Sequence, residues 1–188
     1  MISAILLAAG QSKRMNGENK LNKIINNQPL IKHSINNILE SEVDELIIVV
    51  GYQEEIIKKL ISKNKKIKII SNKNFESGMA SSIKEGLKHL SKKTDYFFIC
   101  LADMPNISKQ IYNGLIKSRN NHKIIIPTYK NQRGNPVLFD RSMKKLIMNI
   151  EGDSGAKKII NMYEDSIFFF ETNDQSIIQD FNTQLSFS

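Results

Sequence analysis

The residues best suited to hold an anion lie in one segment near the amino end, Leu6-Leu7-Ala8-Ala9-Gly10-Gln11-Ser12-Lys13-Arg14-Met15-Asn16-Gly17-Glu18-Asn19-Lys20. It follows an apolar run, Ile2–Leu7, with the character of a buried strand. Small residues followed by glycine let backbone N–H groups approach a ligand closely. Lys13, Arg14 and Lys20 add positive charge to the same loop. A nucleoside triphosphate is the anion this chemistry suits; a basic surface turn is the plainer alternative. Neither common phosphate signature is present: no Gly-Lys follows Gly17, as a Walker A loop requires, and there is no Gly-x-Gly-x-x-Gly.

Four further segments carry unusual residues. Asp103, in Leu101-Ala102-Asp103-Met104-Pro105, directly follows an apolar run, and is either a turn former or a hard oxygen ligand for Mg²⁺. In Glu76-Ser77-Gly78-Met79-Ala80-Ser81-Ser82, Ser82 suits a helix N-cap. The same glycine and hydroxyls also suit a loop that reads a nucleobase edge. Arg133-Gly134-Asn135-Pro136 is too short and polar for core, and is otherwise a hairpin turn. Gly152-Asp153-Ser154-Gly155-Ala156 is a helix cap or an anion site opening a helix. His33, His89 and His122 lack metal-ligand spacing, Cys100 sits in an apolar stretch, and no Gly-x-Ser-x-Gly elbow supports serine hydrolysis.

Alternating elements must position these residues. Ile2–Leu7, Glu45–Val50, Ile67–Ser71, Tyr96–Leu101 and Ile124–Thr128 are short apolar runs suited to strands buried on both faces. Helical patterns fall between them at Leu30–Ser41, Glu54–Lys63, Ser82–Leu90 and Ser108–Asn120. Ile31, Ile35, Ile38 and Leu39 make one stripe, and Ser82 with Glu85 has capping-box spacing. Beyond Pro127, Val137–Phe139 and Ile167–Phe170 suit strands, and Arg141–Asn149 and Ala156–Met162 suit helices. The pattern predicts an α/β fold, a mostly parallel central sheet with helices on both faces. Ligands then sit outside the carboxyl ends of the strands, which gathers Ala8–Lys20, Asn72–Ser82 and Leu101–Ile107.

Composition narrows the classes. The 188 residues, 40% hydrophobic and 24% charged, fit one globular domain over 1–188. The net charge of +8 is spread along the chain, with no basic run interleaved with aromatics, so nucleic acid is not the expected partner. No apolar run approaches a membrane span, and the chain shows no leader-like start. A single cysteine suits a reducing cytoplasm.

Taken together and in order, these motifs resemble the molybdenum cofactor cytidylyltransferases. They comprise Leu7-Ala8-Ala9-Gly10-x-Ser12-x-Arg14-Met15, Gly17-x-x-Lys20, Gly78-Met79-Ala80-Ser81-Ser82, Leu101-Ala102-Asp103-Met104-Pro105, Arg133-Gly134-Asn135-Pro136 and Gly152-Asp153-x-Gly155-Ala156. That family has a Rossmann-like nucleotidyltransferase fold of the glycosyltransferase-A-like type. Two departures stand out. Asn16 is inserted between Met15 and Gly17, and the tail Asp180-Phe181-Asn182-Thr183-Gln184 replaces the family's Asp-x-Asp-Thr-Pro.

The resemblance implies transfer of CMP from CTP to the terminal phosphate of Mo-molybdopterin, giving molybdopterin cytosine dinucleotide and pyrophosphate. It implies that Leu7, Ala8, Ala9 and Gly10 hold the nucleotide, with Gly78, Ser81 and Ser82 near the cytosine. Arg14 would face the leaving phosphates and Lys20 the α-phosphate. Asp103 would bind Mg²⁺, and Asn182 stands where relatives carry an acid that helps. Arg133, Gly134, Asn135, Gly152, Asp153 and Gly155 would face the pterin, and a molybdenum hydroxylase would receive the product. Relatives that use GTP usually carry glycine where Ala9 stands. The alternatives are another nucleotide such as GTP, a sugar-phosphate acceptor, or a non-catalytic chaperone of the cofactor.

Overall fold

The computed structural model describes residues 1–11, 19–153 and 155–181. In chain order the regular elements are β1 (Ile2–Ala8), β2 (Ile24–Ile25), β3 (Gln28–Pro29), α1 (Leu30–Leu39), β4 (Glu45–Val50), α2 (Glu54–Leu60), β5 (Ile67–Ser71), α3 (Met79–Lys88), β6 (Tyr96–Leu101), α4 (Lys109–Lys117), β7 (Ile124–Tyr129), β8 (Gln132–Arg133), β9 (Val137–Asp140), α5 (Lys144–Ile147), α6 (Lys157–Met162) and β10 (Ile167–Glu171).

The main sheet runs β10-β7-β9-β6-β1-β4-β5, with β8 attached to β7. β1 lies parallel to β4 and β6, β4 to β5, and β10 to β7. The alternation of side chains along each strand divides the core in two. Ala4, Leu6 and Ala8 of β1 pack on one face with Leu30, Ile31, Ile35 and Ile38 of α1, Ile57 of α2 and Leu115 of α4. Ile5 points to the other face with Ala80, Ile83 and Leu87 of α3, Ile147 of α5 and Ile159 of α6. Helices therefore cover both faces, as the apolar strand runs require. Each fully buried Leu, Ile or Phe contributes about 1.5–3 kcal/mol by leaving water, so this sandwich is the main source of stability.

One helix sits unusually close to the sheet. A Cβ on Gly86 of α3 would stand 2.4 Å from Ile5 Cγ2 and 3.2 Å from Val49 Cγ2. Glycine here sets the distance between α3 and β1, and with it the position of the residues at the start of α3.

The second half departs from simple strand–helix alternation. β9 is antiparallel to both β6 and β7 and separates them. The chain reverses at Lys130 and Asn131, at φ 47° and 64°, and forms the β7–β8 hairpin. It then turns through Gly134-Asn135-Pro136 into β9, where Phe97 and Phe139 lie opposite each other and stack at 5.6 Å. Such a cross-strand aromatic pair favours this register. A second small hairpin, β2–β3, turns on Asn26 and Asn27 at φ 46° and 65°.

Helix starts and ends shift from the pattern. α1, α2 and α4 stop earlier than periodicity suggests, and the expected helix over 141–149 is a 3-10 turn, Arg141–Met143, followed by the short α5. α3 begins at Met79 rather than Ser82, so Ser82 is inside the helix and no capping box forms. The cause is Gly78 at φ 104°, a conformation that side chains rarely adopt. The chain can enter the helix three residues early because the first free N–H groups find partners elsewhere.

Candidate active site

The carboxyl ends of β1 and β6, with the segment that leads from β5 into α3, line a cavity of about 470 Å³. Its lining includes Leu7, Ala8, Ala9, Gly10, Lys20, Gly78, Ser82, Asp103 and Asp153, which brings three of the expected segments together. Gln11, Phe75, Glu76 and Asp180 line it as well. Ser81, Gly152 and Gly155 stand next to lining residues; Arg133, Gly134 and Asn135 are not part of the lining. Arg14, Ser154 and Asn182 lie outside the described residues.

The floor is the end of β1. The Leu7 carbonyl accepts from Ala102 N–H and the Ala9 carbonyl accepts from Tyr52 N–H, each at 3.2 Å. These two bonds tie the small-residue loop to the strands on either side. Among the described residues nothing lies within 4 Å of the position a Cβ on Gly10 would take.

Lys20 faces Asp103 across this floor, with Nζ 2.6 Å from Oδ2 and both side chains largely buried. A short turn, Lys20–Asn22, positions the lysine, and buried Asn19 caps it by accepting from Leu21 N–H at 3.1 Å. Asn19 also donates to the Tyr52 carbonyl at 3.3 Å, which holds the turn to the end of β4. Asp103 follows β6 directly. Its carbonyl accepts from Phe181 N–H at 2.9 Å, so the tail crosses the site and places Asp180 in the lining.

Residues distant in sequence hold the start of α3. Asp153 Oδ1 accepts from Met79 N–H at 3.0 Å, and the Gly152 carbonyl accepts from Ala80 N–H at 2.9 Å. A carboxylate at this end also matches the positive pole of the helix. Gly152 and Asp153, read from sequence as part of a helix cap or an anion site for their own helix, therefore cap α3. Ser81 and Ser82 are bound by Asn72, a buried residue at the end of β5.

The Arg-Gly-Asn-Pro corner holds the tail. Asn135 N–H donates to the Ile177 carbonyl at 2.8 Å, and a Cβ on Gly134 would meet that same oxygen at 2.6 Å. Arg133 pairs with Glu164 and lies over the Phe169 ring at 5.2 Å. Cys100 is buried, and desolvation pushes its thiol up to about 12, which leaves it unsuited to nucleophilic chemistry. Asn72, Gln11 and Glu76 were missed as individual site residues by sequence reasoning. Their only signal was position, immediately after an apolar strand or beside the glycine of a loop.

A cavity at the carboxyl ends of a mostly parallel sheet, with a lysine and carboxylates on its wall, is the layout of nucleotide-binding α/β proteins. Residues 4–167 match the MobA-like NTP transferase domain. The chain belongs to that family and is a nucleotidyltransferase of the MobA-like type.

Three curated relatives bear the names of molybdenum cofactor guanylyl- or cytidylyltransferases. The probable molybdenum cofactor guanylyltransferase of Clostridium perfringens is 30% identical over 160 residues, covering 84% of this chain and 75% of that protein. The one from Methanosarcina acetivorans is 26% identical over 153 residues, covering 79% and 67%. The molybdenum cofactor cytidylyltransferase of Escherichia coli is 27% identical over 140 residues, covering 74% and 70%. The chain also matches the bifunctional protein GlmU of Staphylococcus epidermidis, but spans only 31% of its length. Among solved structures, Rv0371c of Mycobacterium tuberculosis superposes with a TM-score of 0.87 at 17% identity, covering 98% of this chain and 94% of that one. That protein has also been solved in complex with manganese.

Proposed function

We propose that the cavity binds CTP and that the protein transfers its CMP group to the terminal phosphate of Mo-molybdopterin. An acceptor phosphate oxygen forms a bond to the α-phosphorus, and the bond from that phosphorus to the bridging oxygen breaks. Pyrophosphate leaves with the electron pair. No covalent intermediate with the protein is needed, so the chain contributes positioning and charge.

The observation that carries this reading is the Lys20–Asp103 pair beside the Ala8–Gly10 backbone. On this reading Lys20 leaves the carboxylate and stabilises negative charge at the α-phosphate. The N–H groups near Gly10 approach the triphosphate, and Arg14 takes the β- and γ-phosphates. Asp103, with Asp180 in the same lining, offers hard carboxylate oxygens of the kind Mg²⁺ requires. Among the described residues no three His, Cys, Asp or Glu form a group that could hold a metal ion by themselves. Mg²⁺ bound there would neutralise the triphosphate.

Ala9 favours the cytidylyl reading over the guanylyl one on the resemblance alone, since relatives that use GTP usually carry glycine at that position. The acceptor side is assigned to the surface around Asp153 and Gly152, with Gly155, Arg133, Gly134 and Asn135 outside the lining. Among the described residues no helix is long and apolar enough to cross a membrane.

Purified protein mixed with CTP, Mg²⁺ and Mo-molybdopterin is expected to release pyrophosphate. Release with GTP and not with CTP would overturn the nucleotide assignment. Cofactor binding without release would mark the protein as a chaperone.

A further inference from the structure

Asn72 stands behind the cavity, outside its lining, where it binds Ser82 of the lining and the neighbouring Ser81. It is 4% exposed. Its Oδ1 accepts from Asn74 N–H at 2.9 Å, which fixes the amide so that Nδ2 carries the donors toward α3. Nδ2 then donates to Ser81 Oγ at 2.8 Å and to Ser82 Oγ at 3.0 Å. Both amide hydrogens are used.

This arrangement fixes the direction of two hydroxyl protons. Ser81, accepting from Asn72, passes its own proton to the Gly78 carbonyl at 2.8 Å. Ser82 also accepts from Asn72, so its O–H points away from the amide and is available to donate. Among the described residues no acceptor for that proton is present, and Ser82 lines the cavity. A ligand that places an acceptor in the cavity would take up that proton.

We propose that Asn72 is a positioning residue for base selectivity, turning the Ser82 hydroxyl into a hydrogen-bond donor toward an acceptor atom of the nucleobase. The proposal rests on the reading of this cavity as a nucleotide site and adds to it the polarity of the base-reading group. An aspartate at position 72 would reverse that polarity. A carboxylate only accepts, so both serine protons would turn toward it and Ser82 would offer the base a lone pair instead.

The test is equilibrium binding of CTP, and separately of inorganic tripolyphosphate, to the wild type, Ser82→Ala, Asn72→Asp and the double variant. One lost neutral hydrogen bond predicts CTP binding weaker by about 3- to 10-fold in each single variant. The double variant should be no weaker than the worse single one, because both changes remove the same contact. Tripolyphosphate affinity should be the same in all four, and the kinetic effect should fall on KM more than on kcat. Asn72→Ser, which keeps the strand end but removes the amide, replaces Asn72→Asp if that variant does not fold.

Losses that add, or that appear equally for tripolyphosphate, would overturn the proposal and leave Asn72 as a loop anchor. A wild-type preference for GTP would instead sink the CTP reading, and the same four-way comparison run with GTP would then decide the role of Asn72.

Discussion

Lys20 and Asp103, 83 residues apart in sequence, meet with the ammonium 2.6 Å from the carboxylate at the carboxyl ends of β1 and β6. Their side chains are 15% and 19% exposed, so the contact is shielded well beyond an ordinary surface ion pair. The two groups of opposite charge thus stand side by side in the lining of the cavity, with Ala8, Ala9 and Gly10 in the same lining.

Lys20→Ala should separate chemistry from binding. A preorganised donor aimed at charge that grows in the transition state is worth ~10²–10³ in turnover. The expected outcome is a fall of that size in kcat, with a much smaller loss in nucleotide affinity measured by calorimetry. An unchanged rate would show that Lys20 does not reach the reacting phosphate and would shift attention to Lys13 or Lys23.

Most of the sheet was readable because strands buried on both faces must be continuous apolar runs, and Ile2–Leu7, Glu45–Val50 and Tyr96–Leu101 are such runs. Turns and caps made at long range were not. Ser82 has the local pattern of a cap, yet α3 starts at Met79, because Asp153 supplies the acceptor from 74 residues away. The antiparallel insertion of β9 was equally hidden. Four residues carry the same apolar signal in either direction, and the choice rests on contacts such as Phe97 with Phe139. Lys20, Asp103 and the Ala8–Gly10 loop stood out because charge and glycine at strand ends are unusual, and they share one cavity lining. Asn72 was not, since an asparagine after a strand is an ordinary turn residue.

The acid limb of stability should involve Glu54. A hydrogen bond from Lys73 at 2.6 Å, helped by Ser71, holds its carboxyl down to about 2 from an ordinary 4.5. Lys88 lowers Glu85 in the same direction. Carboxylates depressed in the folded state contribute stability above their unfolded pKa and lose it as pH falls through the folded one. Melting temperature should therefore be flat near neutrality and fall from about pH 4.5 downward. Glu54→Gln should melt lower than the wild type at pH 7, with the gap closing near pH 2. A gap that is constant with pH would show that charge is not the cause.

Gly86→Ala tests the spacing between α3 and β1. Alanine gains about 1 kcal/mol of helix propensity, but its Cβ would stand 2.4 Å from the fully buried Ile5 Cγ2. Overpacking of this kind costs about 1–3 kcal/mol and occasionally more. The clash with a branched methyl in the core should win. A drop of roughly 2–6 °C in melting temperature is expected for a domain of this size. A rise would mean that α3 can move off the sheet without loss.

The metal assignment is decided by two carboxylates that reach the cavity by different routes. Asp103 follows β6, whereas Asp180 arrives on the tail, held by the Asn135–Ile177 bond and by Phe181 N–H on the Asp103 carbonyl. Mn²⁺ is a suitable probe, because it accepts the same hard oxygen ligands as Mg²⁺ and its binding can be followed by electron paramagnetic resonance. Asp103→Asn keeps the size and turn-forming character of the residue while removing its charge, so it should fold normally. It should bind Mn²⁺ with CTP at least tenfold more weakly and lose most pyrophosphate release. Asp180→Asn should weaken Mn²⁺ binding less, since the tail is an addition to the site rather than part of the β6 end. Asn182→Asp would add the acid that relatives carry and should tighten Mn²⁺ binding. If Asp103→Asn binds Mn²⁺ and releases pyrophosphate as the wild type does, Asp103 serves only to hold Lys20, and the cation must be sought elsewhere.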